Sequence, residues 1–203
     1  MHRFLIPDGM YQNIYKVTPA LLFKKNKRGI IFDIDNTVAP YEIEKPTEKM
    51  KTYFSILSEN NLKIAFVSNN SGGRAEIFNS DLGFFCVSDA GKPSPLGILK
   101  CLDHFSLSAD EVVLVGDQIF TDCLAAHRAG VECFLVKPIK DKETWFFKIK
   151  RLFEKPYINE YRKQKKMRRA SKRAAKLAER ERVTAEKRAK HNGKRKSKLR
   201  SGR

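Results

Sequence analysis

Two carboxylates one residue apart are the feature of this sequence that points most directly to chemistry. Asp33 and Asp35 end an apolar segment in the run Gly29-Ile-Ile-Phe-Asp33-Ile-Asp35-Asn-Thr37. In extended backbone, residues two apart point to the same side, and open α/β sheets bind ligands at the carboxyl ends of their strands. Two carboxylates so close resist ionising together unless a cation lies between them or one keeps a proton. The pair therefore indicates a divalent metal site, acid-base chemistry, or both.

Three further polar segments follow later apolar segments, where a phosphate site would require them. Ser68 and Asn69 end the second apolar run, and their hydroxyl and amide can hold phosphate oxygens. Lys92 precedes a helical segment in a Gly-Lys-Pro turn, Asp117 ends a later apolar run, and Asp122 lies five residues beyond. Singly, each has an ordinary explanation as a strand-end cap, a loop lysine, a turn or a helix cap. Together, in one parallel-sheet register, they indicate a phosphate-transfer site.

The elements that would position these residues alternate between strands and helices. Because continuous apolar strands separated by helices are typical of a parallel sheet covered on both faces, the pattern predicts an α/β, Rossmann-like domain. We expect this domain over 29–155, with 1–28 packed against it and a basic tail over 156–203. The predicted strands are 29–32, 62–68, 84–87, 112–116 and 132–136, and the predicted helices are about 47–59, 73–81, 95–104 and 119–129.

Charge and composition separate the tail from the rest of the chain. The 203 residues carry a formal net charge of +18, and 159–203 hold 20 Lys and Arg against four Asp and Glu. The body is therefore nearly neutral. The tail's Lys, Arg, Ala and Glu favour a helix, and we expect 191–203 to be disordered.

The sequence also indicates the cellular compartment in which the protein is found. Its four cysteines have no C-x-x-C spacing, which favours free thiols in a reducing environment over a zinc site or a disulfide framework. No apolar run approaches the roughly 18 residues of a membrane-spanning helix, and the N-terminus lacks a signal-peptide core. We therefore expect a cytoplasmic protein, with peripheral attachment to the inner face of a membrane left open.

In the order of these motifs, the sequence resembles the haloacid dehalogenase superfamily of phosphohydrolases. The matching segments are D-x-D-N-T at 33–37, the strand-end Ser68, Lys92, and G-D-x-x-x-x-D at 116–122. The resemblance is closer to the YqeG-like branch (subclass IIIA), which is similar to the mitochondrial phosphatidylglycerophosphate phosphatases. It covers roughly residues 1–155 and leaves the basic tail outside.

The resemblance implies a phosphatase that works through an aspartyl-phosphate. Asp33 would attack phosphorus, and Asp35 would protonate the leaving oxygen and then activate water. Mg²⁺ would be bound by the Asp33 carboxylate, the Asp35 backbone carbonyl and Asp117. The phosphate would be bound by Ser68, Asn69 and Lys92. Thr37 and Asp122 would support the site. Asp122 would do so by holding the metal's waters or by orienting Lys92.

The spacing of the motifs leaves no room for a lid domain. Thirty residues lie between Thr37 and Ser68, and 23 between Ser68 and Lys92. Superfamily members without a cap tend to act on bulky substrates, so the resemblance implies an open site. A phospholipid headgroup fits such a site, specifically phosphatidylglycerophosphate in phospholipid synthesis. A phosphatase of soluble nucleotide or sugar phosphates is the alternative enzyme, and an RNA- or ribosome-associated protein of this fold is the alternative outside enzymes.

For two segments that follow the sheet, the sequence leaves more than one possible binding partner. On a helix over 145–153, positions 145, 146, 149, 152 and 153 share one face, and the three basic residues take another. This helix either covers the sheet or lies on an anionic lipid surface. The tail either binds anionic lipid, binds RNA through phosphate neutralisation, or is merely solvated. The neighbouring aromatic-basic segment favours a membrane.

Overall fold

Residues 3–71, 73–140 and 145–200 are described in a computed structural model of the chain, with side chains described for 4–71, 73–140, 152–182 and 184. The chain divides into two compact units, Met1–Ile158 and Asn159–Arg203. The first contains a parallel six-stranded sheet in the order β1-β6-β5-β2-β3-β4. Its strands are β1 (Gly9–Tyr11), β2 (Gly29–Phe32), β3 (Lys63–Val67), β4 (Phe85–Val87), β5 (Val112–Gly116) and β6 (Glu132–Val136).

Helices and short turns connect the strands. The five strands expected from the sequence are observed within about a residue of their predicted bounds, and β1 is an additional strand. The helices are α1 (Pro19–Lys24), α2 (Glu48–Glu59), α3 (Arg74–Asn79), α4 (Leu96–Phe105), α5 (Leu124–Arg128) and α6 (Trp145–Arg200), with 3-10 turns at Arg3–Leu5, Ile14–Lys16 and Ala109–Glu111 and a π-helical turn at Ile119–Cys123.

The strands are buried on both faces, as their continuous apolar sequences predict. In β2, Ile30 and Phe32 contact one hydrophobic core, and Ile31 contacts the other. This alternation follows from the two-residue period of a strand. Helices α2 and α3 cover the first face, and α4 and α5 cover the second. The fold is therefore the predicted Rossmann-like α/β sheet flanked by helices, without a cap domain in the described connections.

The N-terminal segment contributes to the sheet directly. Strand β1 pairs in parallel with β6, and the side chains of Ile14, Val17 and Leu22 are buried in the first core. Thr18 caps α1, accepting a hydrogen bond from the Leu21 amide at 3.3 Å. These contacts agree with the expectation that 1–28 pack on the domain, while the predicted domain boundaries themselves stay predictions.

The first unit includes the start of α6. Glu154 is fully buried and accepts a hydrogen bond from the Ile119 amide at 2.9 Å, and Tyr157 packs edge-on against Phe120. Leu152 and Phe153 are instead 57% and 62% exposed. The side chains of 145–151, which carry most of the predicted apolar face, lie outside the described residues.

The second unit is helical through Arg200, and its described side chains are mostly exposed and basic. Residues 201–203 and the side chains of 185–200 lie outside the described part, so the expectation of disorder for 191–203 stays a prediction. Within the described residues, no helix combines the length and apolar character that crossing a bilayer requires.

Candidate active site

The predicted site residues meet because three neighbouring strands end at the same edge of the sheet. Asp33 follows β2, Ser68 follows β3 and Asp117 follows β5, and β2 lies between the other two. The Asp33 amide donates to the Val115 carbonyl at 2.9 Å, which continues the β2–β5 ladder to Asp33. A cleft of about 280 Å³ opens here, lined by Asp33, Asp35, Tyr41, Asn69, Asn70, Lys92, Gln118, Thr121 and Asp122.

Three buried carboxylates form the centre of the site. Oxygens of Asp33, Asp117 and Asp122 lie within 4.8 Å of one another, and each residue is at most 5% exposed. Asp33 Oδ2 is buried and has no hydrogen-bond partner among the described residues. Three carboxylates and the adjacent Lys92 ammonium carry a net charge of −2 when all are ionised, which a divalent cation would neutralise. Oxygen ligands of this kind suit Mg²⁺ and related hard cations, so the residues present fit a divalent metal.

Lys92 is a buried cation between two of these acids. Its Nζ donates to Asp33 Oδ1 at 2.6 Å, to Asp122 Oδ1 at 2.7 Å and to the Val67 carbonyl at 3.0 Å. Burial alone would lower the pKa of Lys92, but the Asp122 and Asp33 carboxylates raise it above its ordinary value. Lys92 is therefore a permanent positive charge, and its three N–H donors are all engaged. It would bind a phosphate oxygen by exchanging one of these contacts.

Asp33 is an acid whose charge is costly in this arrangement. Burial raises the pKa of Asp33 to about 8, Lys92 opposes the shift, and the Asp122 and Asp117 carboxylates add to it. A cation among the three acids would favour the ionised form of Asp33. The ionised form of Asp33 is thus favoured by a nearby cation.

Asn69 holds the backbone of Lys92, and Ser68 holds the backbone of Asn70. The Asn69 side chain donates to the Lys92 carbonyl and accepts from the Lys92 amide, both at 2.8 Å. Ser68 is 1% exposed, and its hydroxyl oxygen accepts from the Asn70 amide at 3.0 Å. Asn69 and Asn70 line the cleft. The structure thus gives Asn69 a positioning contact beyond its predicted phosphate role.

A π-helical turn brings Asp122 to the cluster. The predicted helix over 119–129 is observed as a helical segment, which begins with the π-helical turn and continues as α5. The wider turn places the Asp122 carboxylate against Gly116, where an added Cβ would lie 2.5 Å from Asp122 Cβ and Cγ. Asp122 Oδ2 also accepts from the Gln118 amide at 3.0 Å. Thr37 donates to Asp117 Oδ1 at 3.4 Å, and its predicted supporting role stays a prediction.

Asp35 has a partner that sequence reasoning missed. Arg74 Nε donates to Asp35 Oδ1 at 2.6 Å, and both side chains are 13% exposed. Gly73 before it has a left-handed φ of 73°, but a lone arginine at this position gives no sequence signal of a contact 39 residues away.

The loop after β2 contributes two more residues that the sequence did not single out. Tyr41 lines the cleft, and burial, with the Asp117 and Asp35 carboxylates, raises its pKa above the ordinary value, so the phenol stays neutral. Asn36 has a left-handed φ of 67°, which Asn tolerates better than most residues. Its side chain donates to the Lys140 carbonyl and accepts from the Lys140 amide, both at 2.8 Å.

Comparison with known proteins finds a hydrolase family and two phosphatases. A sequence model of the HAD-hydrolase-like family matches residues 89–147. The chain is 29% identical over 159 residues to a probable phosphatase, YqeG, of Bacillus subtilis, covering 78% of this chain and 92% of that protein. It is 26% identical over 160 residues to the chloroplastic/mitochondrial phosphatidylglycerophosphate phosphatase 1 of Arabidopsis thaliana, covering 71% of this chain and 44% of that protein.

One solved structure extends the comparison. The cobalt-bound deoxy-D-mannose-octulosonate 8-phosphate phosphatase of Haemophilus influenzae aligns with a TM-score of 0.46 at 13% identity, covering 68% of this chain and 90% of that one.

Proposed function

We propose that this chain, a haloacid dehalogenase-type phosphatase, hydrolyses phosphomonoesters through a phosphorylated Asp33 with the help of Mg²⁺. The observation that carries this proposal is the buried, unpartnered Asp33 Oδ2 in the cleft, with the Lys92 ammonium 2.6 Å from the other oxygen. The family resemblance inferred from the sequence is confirmed by the family match and the two phosphatase relatives.

The reaction has two steps. In the first, an Asp33 oxygen attacks phosphorus, the bond between phosphorus and the ester oxygen breaks, and Asp35 gives the departing alcohol its proton. In the second, Asp35 takes a proton from water as that water attacks the phosphorus of the aspartyl-phosphate. Inorganic phosphate leaves and Asp33 is regenerated. Lys92 neutralises charge that develops on the phosphoryl oxygens. Ser68 and Asn69 are proposed to bind the phosphoryl group or to position Lys92.

A metal would be held by the Asp33 and Asp117 carboxylates and the Asp35 backbone carbonyl, with Asp122 and Thr37 in support. When bound there, Mg²⁺ would supply positive charge that favours the ionised form of Asp33 and neutralises charge on the phosphoryl oxygens. The cluster geometry supports a divalent cation, and the identity of the ion as Mg²⁺ is part of the proposal.

For the substrate, we propose phosphatidylglycerophosphate in phospholipid synthesis. The Arabidopsis relative carries that name, and the cleft has no cap domain among the described connections. A large headgroup at a bilayer surface could therefore enter the cleft and exclude water itself. Soluble nucleotide or sugar phosphates are the alternative substrates.

Peripheral attachment to the inner face of a membrane from the cytoplasm fits this substrate. Leu152 and Phe153 are exposed on the first unit, beside the basic positions of 145–153. The 20 Lys and Arg of 159–203 would attract an anionic bilayer, each contributing about 1 kcal/mol near its surface. RNA or a ribosome is the alternative partner of the basic tail.

The test compares a lipid substrate with soluble ones at two salt concentrations. Phosphate release is measured with Mg²⁺ from phosphatidylglycerophosphate in anionic vesicles, from glycerol 3-phosphate and from nucleoside monophosphates, with Asp33→Asn as the inactive control. We expect kcat/KM to be at least about tenfold higher for the lipid and to fall with salt, since screening weakens attraction to the surface. A preference for a soluble ester would contradict the lipid substrate. Inactivity on every ester, with RNA binding retained, would favour the RNA-associated alternative.

A further inference from the structure

We propose that Arg74 is a positioning residue that holds Asp35 for proton transfer, an inference that rests on the proposed function. Asp35 lines the cleft, whereas Arg74 is absent from the described lining and contacts Asp35 through Nε at 2.6 Å. Arg74 therefore acts on the reacting atoms only through Asp35. Because Arg74 binds Oδ1 of Asp35, the other oxygen, Oδ2, is the one that would carry the transferred proton.

Arg74 also holds the loop that carries Asp35. Its two terminal nitrogens donate to the Pro40 and Ile43 carbonyls, each at 2.8 Å. The segment between β2 and α2 has no helix and only a single-residue bridge between Asp35 and Ala39. A planar guanidinium with donors in fixed directions thus joins the acid and two points of an otherwise irregular loop.

Among the described ion pairs of the site, Arg74 pairs with Asp35, and Lys92 pairs with other acids. Lys92 pairs with Asp33 and Asp122, so it contributes no described ion pair to Asp35. Arg74 and Asp35 are both largely buried, where a charge-assisted hydrogen bond is shorter and stronger than a neutral one. The two acids of the D-x-D motif are therefore fixed by two different cations, one inside the cleft and one behind it.

A positioning role has a signature that general structural damage lacks. A poor leaving group such as an alcohol needs a proton as it departs, whereas 4-nitrophenolate does not. Because kcat/KM includes steps only up to the departure of the leaving group, later hydrolysis of the aspartyl-phosphate does not enter it. Loss of a well-placed Asp35 should therefore lower kcat/KM for glycerol 3-phosphate much more than for 4-nitrophenyl phosphate.

The experiment measures kcat/KM on both esters for wild type, Arg74→Gln, Asp35→Asn and the double variant. Since general acid catalysis contributes about 10²- to 10⁴-fold, we expect Arg74→Gln to lose about 10- to 100-fold on glycerol 3-phosphate and less than about threefold on the aryl ester. In the Asp35→Asn background, Arg74→Gln should cost less than about twofold. Equal losses on the two esters, or an undiminished loss in that background, would overturn the proposal.

Two further variants keep the test decisive. Arg74→Lys retains a positive charge without the three-way contact, and should show the same selective loss to a smaller extent if Arg74→Gln fails to fold. Arg28→Gln removes an exposed arginine paired with Glu111 and should leave both esters unchanged. Wild type that hydrolyses neither of these esters nor phosphatidylglycerophosphate in vesicles contradicts the proposed function itself. Active wild type with an unselective Arg74→Gln contradicts only the role of Arg74.

Discussion

Asp33 and Asp35 lie two residues apart but have different surroundings. Asp33 is buried among other carboxylates and one lysine, and burial raises its pKa to about 8. Asp35 is paired with an arginine outside that cluster. One acid is thus dependent on a cation, as a metal-bound nucleophile would be, and the other is oriented by a fixed guanidinium. This separation supports the two roles assigned to the D-x-D motif.

A second pair of residues predicts how stability depends on pH. His127 Nε2 lies 2.8 Å from Asp8 Oδ2, and its Nδ1 lies 2.7 Å from the Phe4 carbonyl oxygen. Burial alone would lower the pKa of His127, but Asp8, Cys123 and the Phe4 carbonyl raise it to about 10. Because the folded pKa exceeds the unfolded value near 6.5, this contribution is complete below about pH 6.5 and is lost as pH rises to about 10.

Asp8→Asn keeps the size of the side chain and removes its charge. We expect it to lower the free energy of unfolding by about 1–2 kcal/mol at pH 6, a modest value because the Asp8 side chain is 37% exposed and solvent screens it. The difference from wild type should shrink between pH 6.5 and 10 as His127 loses its proton. Urea unfolding at pH 6, 8 and 10 measures it, and a difference that does not change with pH would show that His127 is uncharged.

Single residues differ in how far the sequence could predict them. Asp33, Ser68 and Asp117 were identifiable because each follows an apolar strand, and parallel strands bring their carboxyl ends to one edge. Arg74 and Tyr41 lie in irregular or glycine-preceded segments. Their contacts depend on how a loop folds back, which carries no periodic signal.

At the scale of elements, the close approach of β5 to the π-helical turn sets the geometry of the three-carboxylate cluster. Gly116 ends β5, and the missing side chain leaves space for Asp122. Asp122 is held on its other sides by Lys92 and by the Gln118 amide. A side chain at position 116 would therefore displace the Asp122 carboxylate from its contacts with Lys92 and the Gln118 amide.

Gly116→Ala tests this packing. An added Cβ 2.5 Å from Asp122 must push the carboxylate away, at a cost of about 1–3 kcal/mol for overpacking. We expect the Mg²⁺ concentration for half-maximal activity to rise about tenfold or more. The control is Gly29→Ala at the start of β2, where the new Cβ meets only Leu107, Val112 and Phe105 side chains at 3.0–3.1 Å. It should lower stability without changing the Mg²⁺ requirement, and equal requirements in both variants would contradict the account.

Elements were predictable where the pattern was long enough. Strand β5 is a continuous apolar run, whereas β1 has three residues and begins with Gly9. Its place in the sheet comes from pairing with β6, a tertiary contact that a three-residue pattern cannot signal. The π-helical turn was missed for a related reason, since an extra residue in a helical turn does not change the apolar periodicity enough to be recognised.

At the scale of the whole molecule, the chain combines a nearly neutral catalytic unit with a strongly basic one. The sequence established this division through charge alone, because 159–203 hold 20 basic and four acidic residues. Charge gives affinity for anionic surfaces but little specificity. The choice between lipid and RNA therefore depends on the experiments on vesicles and salt rather than on further inspection of the tail.

The central claim is that Asp33 carries the phosphoryl group. The most direct measurement is mass spectrometry of Asp35→Asn quenched during turnover of 4-nitrophenyl phosphate with Mg²⁺, since this variant slows the second step more than the first. The account predicts one added phosphoryl group on the peptide that contains Asp33, and none in Asp33→Asn. Phosphate release with no covalent adduct, or an adduct on another residue, would contradict it.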